Sequence, residues 1–356
     1  MADVWQPART PAPGVVAGPT RVTITDVAAR AGVSPATVSK VVNGRYGVAP
    51  RTIAHVRQVV AELGYETSLV ASSLRSRRTG VLGVLVAEFE PYSTEILKGA
   101  SRAVAGTGYE LLAYSGGTRT DEDEGWERRS LSRLGGTLVD GAVLVTPTVA
   151  LVTGPTPVVA IDPHAGPAAV PTVDADSHRG AVLATEHLLR LGHRRVAFLG
   201  GRPGLESSRL REEGFVATMR AAGVPVAPEL LRVGGYRPGP AAEAARAVLA
   251  LADRPTAVFA ANDLSAIAVV EVARELGLAV PADLSVVGFD NIPESALVDP
   301  PLTTVEQPLQ EMGARAVRRL VGLVDGDAAA GEGAAWGDHL RLPTALVPRA
   351  STAPPA

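Results

Sequence analysis

The chain has 356 residues, 46% hydrophobic and 20% charged, and no cysteine. Single cores stop growing near ~250 to 300 residues, so at least two folded units are expected. The apolar runs break within about ten residues, too soon for the ~20 a membrane helix needs, and the missing cysteines exclude disulfides, iron–sulfur clusters, thiol nucleophiles and thiolate-bound zinc.

The net charge of −3 is unevenly placed: Arg21 to Gly80 holds nine Lys or Arg against Asp26, Glu62 and Glu66, a net of +6; Asp3 and Arg9 cancel, and 81–356 therefore carries −9. A basic head on an acidic body points to a polyanion-binding module joined to a body that binds neither nucleic acid nor an acidic membrane. The first twenty residues lack the basic start and apolar stretch of a secretory signal, so a disordered tail on a cytoplasmic protein is expected.

The run TITDVAARAGVSPATVSKVVNG carries two helix starts. Thr23 with Asp26 three residues later resembles a capping arrangement, Val27, Ala28 and Ala31 share one face, and Gly32 stops the helix. Ser34 caps a second helix with Pro35 at its first position, where a missing N–H costs nothing. Val38, Val41 and Val42 then face inward, while Ala36, Thr37, Ser39 and Lys40 face out. Two short helices around a glycine turn form a helix-turn-helix. Small polar groups and one cation on the outer face suit a major groove ~12 Å wide. A third helix is predicted from about Arg51 to Leu63, with Ile53, Val56, Val60 and Leu63 in register and Gly64 ending it. The following SLVASSLRSRRTG is amphiphilic with a basic end and, taken alone, reads as a solvated linker.

From Thr23 to Thr79 the chain resembles the DNA-binding head and hinge of the LacI/GalR family of bacterial transcription regulators. The resemblance implies DNA contacts from Thr23, Ser34, Pro35, Ala36, Thr37, Ser39, Lys40 and Asn43. It also implies a hinge helix in which Leu74, with Ala71 one turn earlier and Arg75 beside it, wedges into the operator minor groove, a device that unstacks a base step and bends the duplex. Two positions depart from the family pattern: Ala49 stands where a capping Ser is common, and Glu66-Thr67-Ser68 replaces the usual Pro-Asn lead into the hinge.

From Val81 onward, apolar strand-like runs (VLGVLV, YELLAY, GAVLVT, VVAI, RRVAFLGG, AVFAAND, LSVVGFD) alternate with helical patterns. Continuous apolar strands alternating with helices imply parallel sheets covered on both faces, here in two α/β lobes, with ligand at the strand carboxyl ends in the cleft between them. The same stretch resembles the family's periplasmic-binding-protein-like effector domain almost to the C-terminus, which places lobe crossings near Ala160, Asn291 and Asp325. Arg211 resembles the family's ligand-clamping arginine, whose planar fork can hold two hydroxyls. Asn262, Asp263 and Asp290 follow strands and suit hydroxyl partners. Asp176 sits near the family's ligand-facing acid, with Asp174 competing for that alignment, and any single such Asp is more often a helix cap. Tyr236 stands where sugar-binding members stack a ring on a pyranose, and Phe89 and Tyr92 join it at strand ends. Glu88-Phe89-Glu90-Pro91-Tyr92 departs from the family's Asp-x-x-Asn-Pro, so no ligand contact is carried onto Glu88 or Glu90. His193 reads as structural.

The reading is therefore a small all-α helix-turn-helix head with a hinge helix, joined to a two-lobed α/β periplasmic-binding-protein-like domain. Its boundaries are 1–20 tail, 21–66 head, 67–80 hinge and linker, 81–349 two-lobed effector-binding and dimerisation domain, and 350–356 tail. The expected function is repression of transcription by a homodimer, or a higher oligomer, on a pseudo-palindromic double-stranded DNA operator, under a small-molecule effector of the mono- or oligosaccharide class. No cofactor, metal or membrane partner is expected. An enzyme on the same fold is disfavoured because GxSxG, GxGxxG, a phosphate loop with its lysine, HExxH and metal-ligand spacings are all missing. A free sugar receptor is disfavoured because it would have no use for a basic helix-turn-helix.

Overall fold

The computed structural model describes residues 22–42, 46–65, 78–116, 125–149, 154–167, 169–326 and 338–356. They fall in two units, Met1–Ser72 and Ser73–Ala356.

In the first unit, α1 (Ile24–Ala31), α2 (Pro35–Val42) and α3 (Pro50–Leu63) enclose Val27, Val38, Val56 and Val59, each at most 2% exposed. The inward face of α3 centres on Val56 and Val59, while Ile53, Val60 and Leu63 are only half-buried at its rim. The sequence register missed Val59 because a stripe of Val and Ala on a short helix is compatible with two neighbouring faces. Thr23 and Asp26 form the expected capping box, and Gly32 and Gly64 close α1 and α3 in the left-handed conformation.

The second unit has two six-stranded sheets. The first runs in the order β11 (His339–Leu342), β5 (Thr172–Ala175), β4 (Val158–Ile161), β3 (Gly141–Val145), β1 (Val81–Val86) and β2 (Glu110–Ser115), all neighbours parallel. The second runs β12 (Ala345–Val347), β10 (Thr303–Glu306), β9 (Ser285–Asp290), β8 (Ala257–Ala260), β6 (Val196–Gly200) and β7 (Leu231–Val233). Here β12 is antiparallel to β10, so the expected parallel sheet carries one antiparallel edge. Central strands such as β1 and β3 are buried along their whole length, as helices on both faces require.

Helices α4 (Pro91–Val104), α5 (Trp126–Leu134) and α10 (Leu309–Asp325) cover the first sheet; α6 (Ser177–Arg190), α7 (Glu206–Ala221), α8 (Pro238–Leu249) and α9 (Asp263–Glu275) cover the second. Gly99 and Gly313 let α4 and α10 touch: a Cβ on Gly99 would overlap the Gln310 backbone, and one on Gly313 the Ile96 carbonyl. The chain crosses between lobes after β5, between β10 and α10, and between β11 and β12. The expected crossings near Ala160, Asn291 and Asp325 are thus corrected: Ala160 lies inside β4, Asn291 follows β9 with β10 still to come in the same lobe, and Asp325 ends α10 with β11 still to come. Each shift arises from a short strand, β5, β10 or β11, that lacks a long apolar run. Residues 350–356 are no loose tail either. Ser351 is fully buried, bonding Val286 O and Thr303 N, and Ala353 O meets the His193 ring.

Candidate functional site

The outer face of α2 is small and polar. Pro35, Ala36 and Lys40 are exposed and Thr37 and Ser39 half-buried. Ser34 Oγ accepts from Thr37 N at 3.2 Å and lies 3.0 Å from Thr37 Oγ1, so both hydroxyls serve the helix start. Thr23 is tied to Asp26 in the same way, and those hydrogen bonds hold the Asp26 carboxyl below its ordinary value. Asn43, Ala71, Leu74 and Arg75 lie outside the described residues.

The cleft of the second unit is a cavity of about 660 Å³ between strand ends of both lobes. Glu88, Glu90, Tyr92, Trp126, Thr146, Thr148, Asp162 and His164 line it from the first lobe; Arg202, Ser207, Arg211, Tyr236, Arg237, Asn262 and Asp290 line it from the second. Four of these non-glycine residues hold positive φ: Thr146 at 48°, Asp162 at 47°, Tyr236 at 62° and Asp290 at 115°. Such backbone costs ~1 to 3 kcal/mol per residue and gathers where a site over-determines it.

Arg211, only 3% exposed, is the centre of the wall. Its Nη1 donates to Ala261 O at 2.6 Å, its Nε to Ser177 Oγ at 3.3 Å, and its guanidinium carbon stands 3.8 Å from the Phe289 ring centre. Burial works against its charge, but the facing Tyr236, Asp290 and Asp162 groups outweigh it and raise its pKa. Asp290 Oδ1 lies 3.7 Å from Arg211 Nη1 and accepts from Gln307 Nε2 at 2.6 Å, yet burial pushes its carboxyl well above the carboxylate range. Burial likewise raises Asp162, which accepts from the Tyr92 hydroxyl at 3.4 Å. Burial and the charge of Arg202 pull His164 down to about 4. Across the mouth, Arg237 Nη2 donates to Glu88 Oε1 at 2.8 Å and Glu206 N to His164 O at 2.9 Å.

Of the residues expected at the ligand, Tyr92, Arg211, Tyr236, Asn262 and Asp290 meet in this cleft; Phe89, Asp176 and Asp263 do not. Phe89 is 54% exposed and lies outside the lining. Asp176 caps α6, accepting from Arg179 N at 2.9 Å, which is the plain reading of an Asp before a helix. Asp263 is fully buried inside its lobe, where its carboxylate takes the Ile292 N–H and the Thr304 hydroxyl. Asp174, the rival of Asp176 for the ligand-facing place, is held by His339 and Arg341. Asp162 and Thr146, missed in the sequence, directly follow the apolar runs VVAI and GAVLV, the signal that did select Asp290. Glu88 and Glu90, passed over because their motif is atypical, also line the cleft. In GGRPG, Gly201 is explained by packing, since a Cβ there would overlap the Tyr236 ring, and Gly204 by its φ of 83°.

Residues 23–68 match the profile of bacterial regulatory proteins of the lacI family, and residues 185–352 that of the periplasmic binding protein-like domain. The chain is 34% identical over 302 residues to the HTH-type transcriptional repressor PurR of Pasteurella multocida, spanning 84% of this chain and 90% of that protein. It is 32% identical over 307 residues to catabolite control protein A of Priestia megaterium, spanning 84% and 91%. Among solved structures, the lac repressor dimer bound to operator and the anti-inducer ONPF is similar with a TM-score of 0.79 at 28% identity, covering 94% of this chain and 100% of that one. The transcriptional regulator CelR in complex with cellobiose is similar with a TM-score of 0.67 at 31% identity, covering 93% and 100%.

Proposed function

The chain belongs to the LacI family of bacterial regulatory proteins, a DNA-binding transcription regulator governed by a small-molecule effector, and we propose that this effector is a sugar of one or two rings held in the cleft of the second unit. The observation that carries the reading is the chemistry of that cavity of about 660 Å³. Pockets of ~300 to 1,000 Å³ suit small ligands. The Arg211 fork, the Asp290 and Asp162 carboxyls and the Ser207 and Tyr236 hydroxyls offer donors and acceptors side by side. A neutral polyol presents both kinds of partner on every carbon. Tyr92 adds apolar surface for a pyranose face, with the buried Trp126 ring behind the wall.

On this reading the chain represses transcription as a homodimer, each head laying α2 into the major groove of one half-site. Pro35, Ala36 and Lys40 reach base edges, and Thr37 and Ser39 reach phosphates. The lac repressor dimer on its operator and the cellobiose complex of CelR support the same division of labour between head and body. All these relatives are regulators, which favours binding over catalysis in the cleft.

Thermal unfolding of the purified protein against glucose, galactose, ribose, cellobiose and lactose, with hypoxanthine and guanine as the contrasting class, tests the proposal. A bound effector at ~100 times its Kd stabilises by ~2.7 kcal/mol. A sugar that raises the unfolding temperature and alters operator affinity supports the reading; a response to the purines alone overturns it.

A further inference from the structure

We propose that Glu127 is a positioning residue of this cleft: it orients the Thr148 hydroxyl so that the cavity meets only its lone pairs, which selects a ligand presenting a hydroxyl or N–H donor to that wall. The inference rests on the cleft being the effector site and specifies one part of what that site reads.

Glu127 is fully buried in the first turn of α5, next to Trp126. Its Oε1 accepts from Thr148 N at 2.6 Å and from Thr148 Oγ1 at 2.9 Å, while its Oε2 has no hydrogen-bond partner among the described residues. Burying a carboxylate with one oxygen unsatisfied costs stability. What it provides in return is local. Thr148 and Trp126 both face the cavity, and so does Thr146, which holds φ 48° two residues before Thr148. Pro147 O accepts from His164 N at 3.0 Å, so the turn after β3 is fixed from two sides, by Glu127 and by the segment after β4.

The direction of the Thr148 hydrogen bond follows from atom counting. A hydroxyl has one proton and two lone pairs, and a carboxylate oxygen can only accept. With its proton committed to Glu127 Oε1, Thr148 Oγ offers acceptor sites alone. A ligand hydroxyl that donates there is favoured. A ligand group that can only accept meets lone pairs and is rejected. A site built to pair a hydroxyl discriminates strongly against an analogue that lacks the proton, because the buried partner is left unpaired.

The test has a ligand arm and a ligand-free arm. Calorimetry measures the tightest sugar of the panel above and its monodeoxyfluoro derivatives, in which fluorine keeps size and acceptor character but removes the donor. Wild type should bind the derivative fluorinated at one ring position at least tenfold more weakly than the parent. Thr148→Val should bind the parent about as weakly as that derivative and lose the preference; Thr148→Ser should restore it. Glu127→Gln, whose amide oxygen still accepts, should keep the preference, and Glu127→Leu should lose it. A Thr148→Val protein that still discriminates like wild type overturns the proposal. Without ligand, urea unfolding of Glu127→Leu, Thr148→Val and the double variant should be non-additive by at least fivefold in the unfolding constant, and strict additivity overturns the proposal whatever binds. If no sugar binds wild type, the sugar reading falls, and the ligand-free arm alone decides the positioning claim.

Discussion

Arg211 shows how one buried side chain links the fold to a site. Its guanidinium is anchored to Ala261 O and Ser177, lies over Phe289 and faces Asp290 across the wall of the cleft. Lysine keeps the charge but not the planar fork, and hydrogen bonds to charged groups contribute ~1.5 to 3 kcal/mol. Arg211→Lys should therefore weaken effector binding ~10- to 100-fold in calorimetry and leave operator affinity without effector at the wild-type value. His164 gives a pH signature. Its pKa is about 4 in the folded protein against the ordinary 6.5, so between those values the unfolded chain binds more protons. Stability should fall as pH drops from 6.5 to 4, by at most ~3 kcal/mol from this residue at 1.36 kcal/mol per unit. His187 and His193, also held low by burial, act in the same direction. Urea unfolding across that range should show a shallower loss for His164→Gln than for wild type; equal slopes would remove His164 from the account.

At the scale of elements, the head was legible because each helix announces its own ends: the Thr23–Asp26 box, Pro35 behind Ser34, and glycines at positions 32 and 64. The buried strands were legible as continuous apolar runs. What stayed hidden were the short strands β5, β7, β10, β11 and β12, at most four residues each, whose place is set by neighbours rather than by their own pattern. The lobe crossings depend on three of those strands and were hidden with them. In the cleft, residues carried by a strand end or a familiar motif, such as Asp290 and Arg211, could be read, whereas Glu127 and Arg237 acquire their surroundings only when distant segments meet. Ala49 precedes α3 without a side-chain cap. Because Ser at such a position outperforms Ala by ~0.5 to 2 kcal/mol, Ala49→Ser should stabilise the head by that order, measured as a higher unfolding midpoint, and a lower midpoint would contradict it. Lys40, exposed on α2 and one of only two lysines in the chain, should contact a base edge. Lys40→Ala should cost ~1 to 3 kcal/mol and relax preference at one operator position, whereas loss of a phosphate contact weakens all duplexes alike and lowers the salt slope.

For the whole molecule, the charge division seen in the sequence sets a head at +6, suited to a polyanion, against a body at −9, whose charge disfavours nucleic acid. A ligand touching both lobes stabilises whichever arrangement brings their walls together. If DNA binding favours one arrangement, linkage makes the coupling reciprocal, typically ~1 to 3 kcal/mol or ~5- to 150-fold in operator affinity. The most direct measurement is a fluorescence-anisotropy titration of the full-length protein with a duplex from its own upstream region and with a scrambled duplex, with and without the sugar found by thermal unfolding. The upstream duplex should bind at least ~10³-fold more tightly than the scrambled one. The sugar should shift only the specific affinity in wild type and, at the same concentration, have far less effect on Arg211→Lys. Equal affinity for both duplexes, or a sugar effect undiminished in Arg211→Lys, would contradict this reading.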